Sequence, residues 1–140
     1  MGRSLKAPAG LFDSRAFGFA QVAVVPTPFG KVAHVAGQVA WDADRKLVGG
    51  DDVALQLRKC LENVAKALGS VGATLEQVGS LSLYIKQSHM HRGKAIGDAL
   101  KSVCGDNVPC STWIGVTSLA IDEFLIEVEP SPVFIAGSPD

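Results

Sequence analysis

The chain has 140 residues, the usual length of one domain, and its charges nearly cancel, with 13 lysines and arginines against 14 aspartates and glutamates. No basic stripe appears, so nucleic acid is not an expected partner. Hydrophobic residues make up 47% of the chain and charged residues 19%. That is apolar for a small soluble protein, and it predicts that apolar surface is covered in an oligomer.

The sequence contains no clear targeting signal and no clear metal-binding motif. No apolar run approaches about 18 residues, and no apolar stretch follows the basic start, so we expect a cytoplasmic protein without a membrane span or a secretory signal. The three cysteines, Cys60, Cys104 and Cys110, are odd in number and widely spaced. We therefore expect reduced thiols rather than a disulfide framework or a zinc site. His89 and His91 have no third ligand nearby, which indicates a solvated loop and no metal.

The first third of the chain predicts two strands. Residues 1–16 lack a clear periodicity and are expected to form a loose lead-in. Phe19–Val25 predicts the first strand, and Pro26 to Gly30 a turn. Lys31–Ala40 predicts the second strand by alternation. Its two faces are Ala33, Val35, Gly37 and Val39 on one side, and His34, Ala36 and Gln38 on the other.

A first helix is predicted from Asp52 to Leu68. Its apolar residues recur every three or four positions, the spacing of one helix face: Val53, Leu57, Leu61, Val64 and Leu68. Asp51 or Asp52 can cap the start, and Gly69 can end the helix. Thr74-Leu-Glu-Gln77 has the spacing of a capping box and predicts a short turn.

The second half predicts three strands and one helix. The clearest alternation has Leu81, Leu83 and Ile85 on one face and Ser82, Tyr84 and Lys86 on the other. A helix is predicted over His91–Cys104, then strands over Ser111–Thr117 and Phe124–Glu129. Pro130 and Pro132 are expected to end the last strand, and residues 133–140 to form a loose tail.

The element order is β-β-α-β-α-β-β, which predicts a single α+β domain over residues 1–140, with two helices on one face of a sheet. The other sheet face would be bare in a monomer. Glu127 and Glu129 share a face of the last strand with Leu125. This mixture suits a face that packs on a neighbouring subunit around a wet pocket.

Five short stretches follow one another along the chain: Val35-Ala-Gly-Gln38, Leu47-Val-Gly-Gly-Asp51, Gln56-Leu-Arg-Lys-Cys-Leu-Glu-Asn-Val64, Val108-Pro109 and Leu125-Ile-Glu-Val-Glu129. Together and in this order, they resemble the RidA family, also called the YjgF or liver perchloric-acid-soluble protein family. The likeness runs from Phe17 to Glu129. The resemblance implies a chorismate-mutase-like fold and a homotrimer with a cleft between each pair of adjacent subunits. It also implies hydrolysis of reactive enamines and imines to ketones and ammonia, without metal or cofactor.

The sequence departs from that family's deaminase pattern at three positions. Phe19 stands where the family has a tyrosine, Ala36 where it has a serine, and Ser111 where it has an arginine. Its glutamate is kept as Glu127. An arginine would hold a substrate carboxylate bidentately, and its loss costs roughly 1.5–3 kcal/mol of charge-assisted hydrogen bonding. We therefore expect a substrate shaped like a 2-imino acid to bind weakly.

The resemblance and the departures together give a candidate site. Glu127 is the candidate catalytic residue, either positioning a water or moving protons; the alternative is a structural acceptor for backbone N–H groups at a subunit interface. The candidate ligand-binding residues are Ser111, Cys110, Thr112, Trp113, Phe19, Ala36 and Gln38. His34 shares a predicted face with Ala36 and Gln38. Cys110 is either a reactive thiol or a small buried residue.

Three functions remain open at the level of sequence. The first is a hydrolase of imines or enamines with an altered, less acidic substrate. The second is a non-catalytic trimer that binds a small metabolite or a protein partner, and it rests on the missing tyrosine, serine and arginine. The third is a ribonuclease or translation inhibitor, labels that members of the resembled family carry. It is the weakest, because the chain shows no paired acid and base for RNA cleavage.

Overall fold

The computed structural model describes residues 2–137, which form two helices and seven strands. The helices are α1 (Val53–Gly69) and α2 (Gly93–Cys104). The strands are β1 (Ser4–Lys6), β2 (Val22–Thr27), β3 (Gly30–Val35), β4 (Ser80–Lys86), β5 (Cys110–Val116), β6 (Ile126–Pro130) and β7 (Val133–Ala136). Short 3-10 turns cover Arg15–Phe17, Leu75–Gln77 and Gln87–Arg92. No helix within this described part is long and apolar enough to cross a membrane.

The strands form two groups that one bridge connects. The first sheet has the order β1-β2-β3-β7 with antiparallel neighbours. The second has the order β5-β4-β6, in which β5 runs parallel to β4 after the α2 crossover. Beyond the end of β3, Gln38 and Val128 exchange two backbone hydrogen bonds of 2.8 and 2.9 Å. This bridge places the chain after β3 directly beside β6.

Helix α1 confirms the predicted apolar stripe. All five stripe residues, from Val53 to Leu68, are buried. The Asp52 carboxylate caps the helix by accepting from the backbone N–H groups of Ala54 and Leu55. The stripe packs in a single core together with Leu81, Leu83 and Ile85 of β4. The helix contacts β6, β3 and α2, and buried residues of both helices belong to the same core.

Both predicted N-terminal strands are shorter than expected. Side chains form hydrogen bonds with backbone groups that a longer strand would use to pair with its neighbour. The first begins at Val22, since the Ser14 hydroxyl donates to the Phe19 carbonyl at 2.7 Å and holds that residue in a loop. The second ends at Val35. Beyond it, the Asn63 amide donates to the carbonyls of Val39 and Trp41, each at 3.0 Å.

The two ends of the chain contain strands where the sequence indicates loose segments. In β1, Leu5 lies opposite Ala23 of β2, and in β7, Phe134 lies opposite Val32 of β3. Strands of three and four residues are too short to show an alternation, and backbone pairing at the sheet edges holds them in place. Residues 138–140 of the predicted tail lie outside the described residues.

The face of the second sheet away from the helices is open. Ser82, Tyr84 and Lys86 lie on it, as their alternation with the buried leucines predicts. Strand β5 forms its edge, and its residues are exposed up to Gly115. This open face is the bare sheet face that the sequence predicts for a single subunit.

Candidate functional site

A cleft of about 570 Å³ opens between the chain after β3 and the segment that leads into β6. Five aromatic rings, five small or aliphatic residues and one carboxylate line it. The rings are those of Phe12, Phe17, Phe19, Trp41 and Phe124, called the aromatic wall below, and the carboxylate is that of Glu127. Clefts of this size with few polar groups are typical small-molecule sites.

The Glu127 side chain is half-buried at the cleft, and its carboxylate is the only ionisable group among the lining residues of this described part. Burial raises the pKa of Glu127, and the negative charge of Glu129 raises it further. Within residues 2–137 no hydrogen bond offsets these two effects. The carboxyl group therefore holds its proton to a higher pH than an exposed glutamate does.

Gly37 makes room for the Glu127 carboxylate. A Cβ atom at position 37 would overlap Oε2 of Glu127 and lie 3.0 Å from its Cδ. The bridge between Gln38 and Val128 fixes this close approach of the two segments. The glycine of the Ala-Gly-Gln stretch is therefore a site residue, although the sequence indicates only that it faces one side of a strand.

Gln38 supports the cleft from behind instead of lining it. Its side chain is buried, and its amide donates to the side-chain oxygen of Gln21 and to the Ala36 carbonyl, each at 2.9 Å. The chain departs from the strand at Ala36, whose N–H donates to the Gln21 carbonyl. Because the chain leaves the strand here, the Gln38 side chain points into the interior. Strict alternation along a strand would have placed it on a different face.

The candidate residues on β5 lie away from Glu127 within one chain. Ser111 and Trp113 are aligned with Leu81 and Leu83, so they point to the helix side of the sheet. Glu127 is aligned with Tyr84 on the opposite face. The Trp113 indole N–H donates to the Ser111 hydroxyl at 3.0 Å, and both side chains remain exposed.

Cys110 and Thr112 also lie on exposed β5, outside the cleft. Of the candidate residues, the structure thus brings together Phe19, Ala36 and Glu127. His34 lies elsewhere too, in a depression of about 290 Å³ that Ser82 and Glu129 also line.

Most of the aromatic wall was missed at the level of sequence. Trp41 lies next to a polar turn, and Phe12 lies in a segment without periodicity, so no local pattern marks either as a site residue. The ring centroids of Phe12 and Trp41 are 5.1 Å apart at a steep angle, and those of Trp41 and Phe124 are equally close. Edge-to-face pairs at this distance stabilise aromatic clusters. The one sequence feature that could have indicated these site residues is the concentration of aromatic residues between positions 12 and 41.

Comparison with known proteins identifies the family. The sequence model of the family described as endoribonuclease L-PSP matches residues 16–133, most of the chain. The chain belongs to this family, which includes the YjgF and RidA proteins. The resemblance found in the sequence motifs is thereby confirmed. No curated protein matches this chain.

Solved structures of relatives agree with this assignment. YyfB of Yersinia pestis, described as a Rid family protein of unknown function, shares 32% identity and a TM-score of 0.68, over 96% of this chain and all of its own. A Mycobacterium tuberculosis member of the YjgF/YER057c/UK114 family shares 25% identity and a TM-score of 0.74, also over 96% and 100%. Yeast Mmf1, at 16% identity and a TM-score of 0.80, covers 94% of this chain and 98% of its own, and supports the fold alone. The α+β fold predicted from sequence is therefore that of the Rid proteins.

Proposed function

We propose that this protein hydrolyses reactive imines or enamines whose substituents are less acidic than those of 2-imino acids. The observation that supports this proposal is the half-buried Glu127 carboxylate, facing an apolar cleft whose described lining contains no basic side chain. Such a site offers a proton acceptor, but offers no cation to hold a substrate carboxylate.

The chemistry requires one water and one group that moves protons. Water attacks the carbon of the protonated C=N bond, and Glu127 accepts the proton that the water loses. A C–O bond forms and the C=N double bond becomes a single bond. Glu127 then returns the proton to nitrogen. As the C–N bond breaks, the Glu127 carboxylate accepts the proton of the hydroxyl group, which becomes the ketone carbonyl, and passes it to the departing ammonia, so that ketone and ammonium leave. An enamine first gains a proton at carbon and then follows the same path. The raised pKa of Glu127 suits both halves of this exchange.

We propose further that three copies assemble in the cytoplasm and that β5 of one copy closes the cleft of the next. Trp113 and Ile114 of this strand are 39% and 36% exposed, which is unusual for large apolar residues on a sheet. Ser111 and Glu127 lie on opposite sheet faces of one chain, so only a neighbouring copy can bring a Ser111 to the cleft.

The second candidate is a trimer that binds a small metabolite without turnover. It is favoured by the absence of any polar partner for Glu127 among the cleft residues, since Phe19 and Ala36 replace the tyrosine and serine of the deaminase pattern. RNA cleavage is not supported, although the family is described as endoribonuclease L-PSP. A cleft with one carboxylate and no basic lining residue does not attract a polyanion.

The test is ammonia release from freshly generated imines and enamines, with and without a carboxylate, by the purified protein and its Glu127→Gln variant. We expect turnover of the uncarboxylated compounds and a loss of about 10²–10⁴-fold in the variant, because the amide cannot accept a proton. In the unmodified protein, kcat falls as the pH drops through the raised pKa of Glu127, since only the ionised form accepts a proton.

The variant is isosteric, so its circular dichroism and oligomeric state serve as the control for folding. Equal rates for the variant and the unmodified protein would overturn the assignment of Glu127. An absence of turnover on every compound by a folded protein would favour the binding protein instead.

A further inference from the structure

The aromatic wall is a continuous set of rings that brace one another. Phe12 contacts Phe17, Phe19 and Trp41 edge-to-face, with centroid distances of 6.0, 6.3 and 5.1 Å. Phe17 and Phe19 line the cleft and remain 51% and 41% exposed. Large aromatic residues that stay exposed beside a concave site are typical of a surface that a ligand covers.

The volume of the cleft also indicates a bulky ligand. Its volume of about 570 Å³ lies well inside the range of sites that enclose ligands with one or two rings. A two- or three-carbon imine would leave most of the aromatic wall uncovered.

The charges at the cleft favour a cation over an anion. Glu127 is the ionisable group of the described lining, and Glu129 adds a second negative charge close enough to affect it. Outside the cleft, the Arg45 guanidinium lies 5.7 Å from the centroid of the Phe17 ring. A ring of the wall thus already accepts one cation on its face, as aromatic faces do.

We propose that the cleft selects aryl-substituted, nitrogen-centred cations, with the aromatic wall covering the aryl group and the Glu127 carboxylate pairing with the nitrogen. In the reaction proposed above, this ligand is the protonated imine of an arylalkyl amine, and that part rests on the proposed function. The recognition of an aryl-substituted cation by the cleft does not depend on that function.

Binding is measured with 2-phenylethylammonium, which has no C=N bond to hydrolyse. Isothermal titration calorimetry of the unmodified protein compares it with 2-phenylethanol, 3-phenylpropanoate and ethylammonium. We expect the aryl cation to bind about 10-fold more tightly than the neutral alcohol, because a charge-assisted hydrogen bond to a carboxylate is added. The anion and the cation without a ring should each bind at least about 10-fold more weakly than the aryl cation.

Three variants assign the two parts of the site. Glu127→Gln should abolish the preference for the cation over the alcohol and leave the affinity for the alcohol unchanged. Phe19→Ala should weaken both aryl ligands about 5-fold. Phe29→Ala is the matched control, because Phe29 is 82% exposed in the turn between β2 and β3 and lies outside the cleft. It should change neither affinity.

The outcomes separate this inference from the proposed function. Equal affinities for cation and alcohol, or tighter binding of the anion, overturn the inference even if imines are hydrolysed. The expected binding pattern without hydrolysis of any imine supports the inference and overturns the proposed function. Persistence of the cation preference in Glu127→Gln contradicts the pairing assigned to that carboxylate.

Discussion

At the scale of single residues, the close approach of Gly37 and Glu127 decides the geometry of the cleft. Gly37 follows the end of β3 and Glu127 lies in β6, and the bridge between Gln38 and Val128 holds the two segments together. The carboxylate occupies the space in which any other residue at position 37 would place its Cβ atom. The glycine thus acts on the site through Glu127 and is a positioning residue.

Gly37→Ala tests this role. The added methyl group should displace the Glu127 carboxylate, lower the free energy of unfolding by about 1–3 kcal/mol and reduce ammonia release about 100-fold. Thermal denaturation and the imine assay measure the two effects. Gly97→Ala is the matched control: no atom lies within 4 Å of a Cβ atom built at Gly97 in α2, and the change should stabilise that helix by about 0.5–1 kcal/mol. Full activity of Gly37→Ala would contradict the close approach.

At the scale of secondary-structure elements, α1 fixes the segment that leads into β6. The Gln56 amide group donates to the carbonyls of Gly50 and Glu123, at 2.7 and 3.0 Å, and accepts from the Leu125 N–H at 2.9 Å. Leu125 lies two residues before Glu127. One buried side chain therefore connects the start of the helix to the strand that carries the carboxylate.

Gln56→Met keeps the length of this side chain and removes its polar atoms. Three backbone groups lose their partner, so we expect the free energy of unfolding to fall by about 3 kcal/mol. Urea denaturation measures the change. Gln87→Met, at an exposed position in the turn before α2, is the control and should stay within about 0.5 kcal/mol of the unmodified protein. A similar small effect of Gln56→Met would mean that water replaces the lost hydrogen bonds.

At the scale of the whole molecule, the open face of the second sheet predicts assembly. Ile114 of β5 lies on this face beside Tyr84, and the Tyr84 hydroxyl donates to the Glu129 carboxylate at 3.1 Å. An apolar edge next to paired polar groups resembles the inside of an interface more than a solvated surface.

Ile114→Lys should convert the proposed trimer into monomers at the same protein concentration, because it places a charge in the contact. Size-exclusion chromatography with light scattering measures the mass. Leu55→Lys, at a 49% exposed position on α1, is the control and should leave the trimer intact. A trimer that survives Ile114→Lys would place the contact elsewhere, and a monomeric unmodified protein would refute the assembly.

The sequence by itself determined the elements whose evidence is local. The apolar stripe of α1, the Asp52 cap and the alternation of β4 each follow from spacing within a few turns or residues, and all three are confirmed. The family could also be identified from the sequence, because its short motifs keep their order along the chain. Phe19, Ala36 and Glu127 were named through that resemblance.

Tertiary structure decided everything that depends on distant segments. Trp41, Phe12 and Phe124 meet around one cleft, although no local pattern relates them. Beyond the early end of β3, the backbone of Gln38 pairs with Val128 instead of continuing the strand. As a result, the Gln38 side chain points inward and the Glu127 carboxylate fits against Gly37. The strands at both ends form only because neighbouring strands supply their hydrogen bonds. Contacts of this kind depend on which surfaces pack together, and periodicity along the chain does not record that.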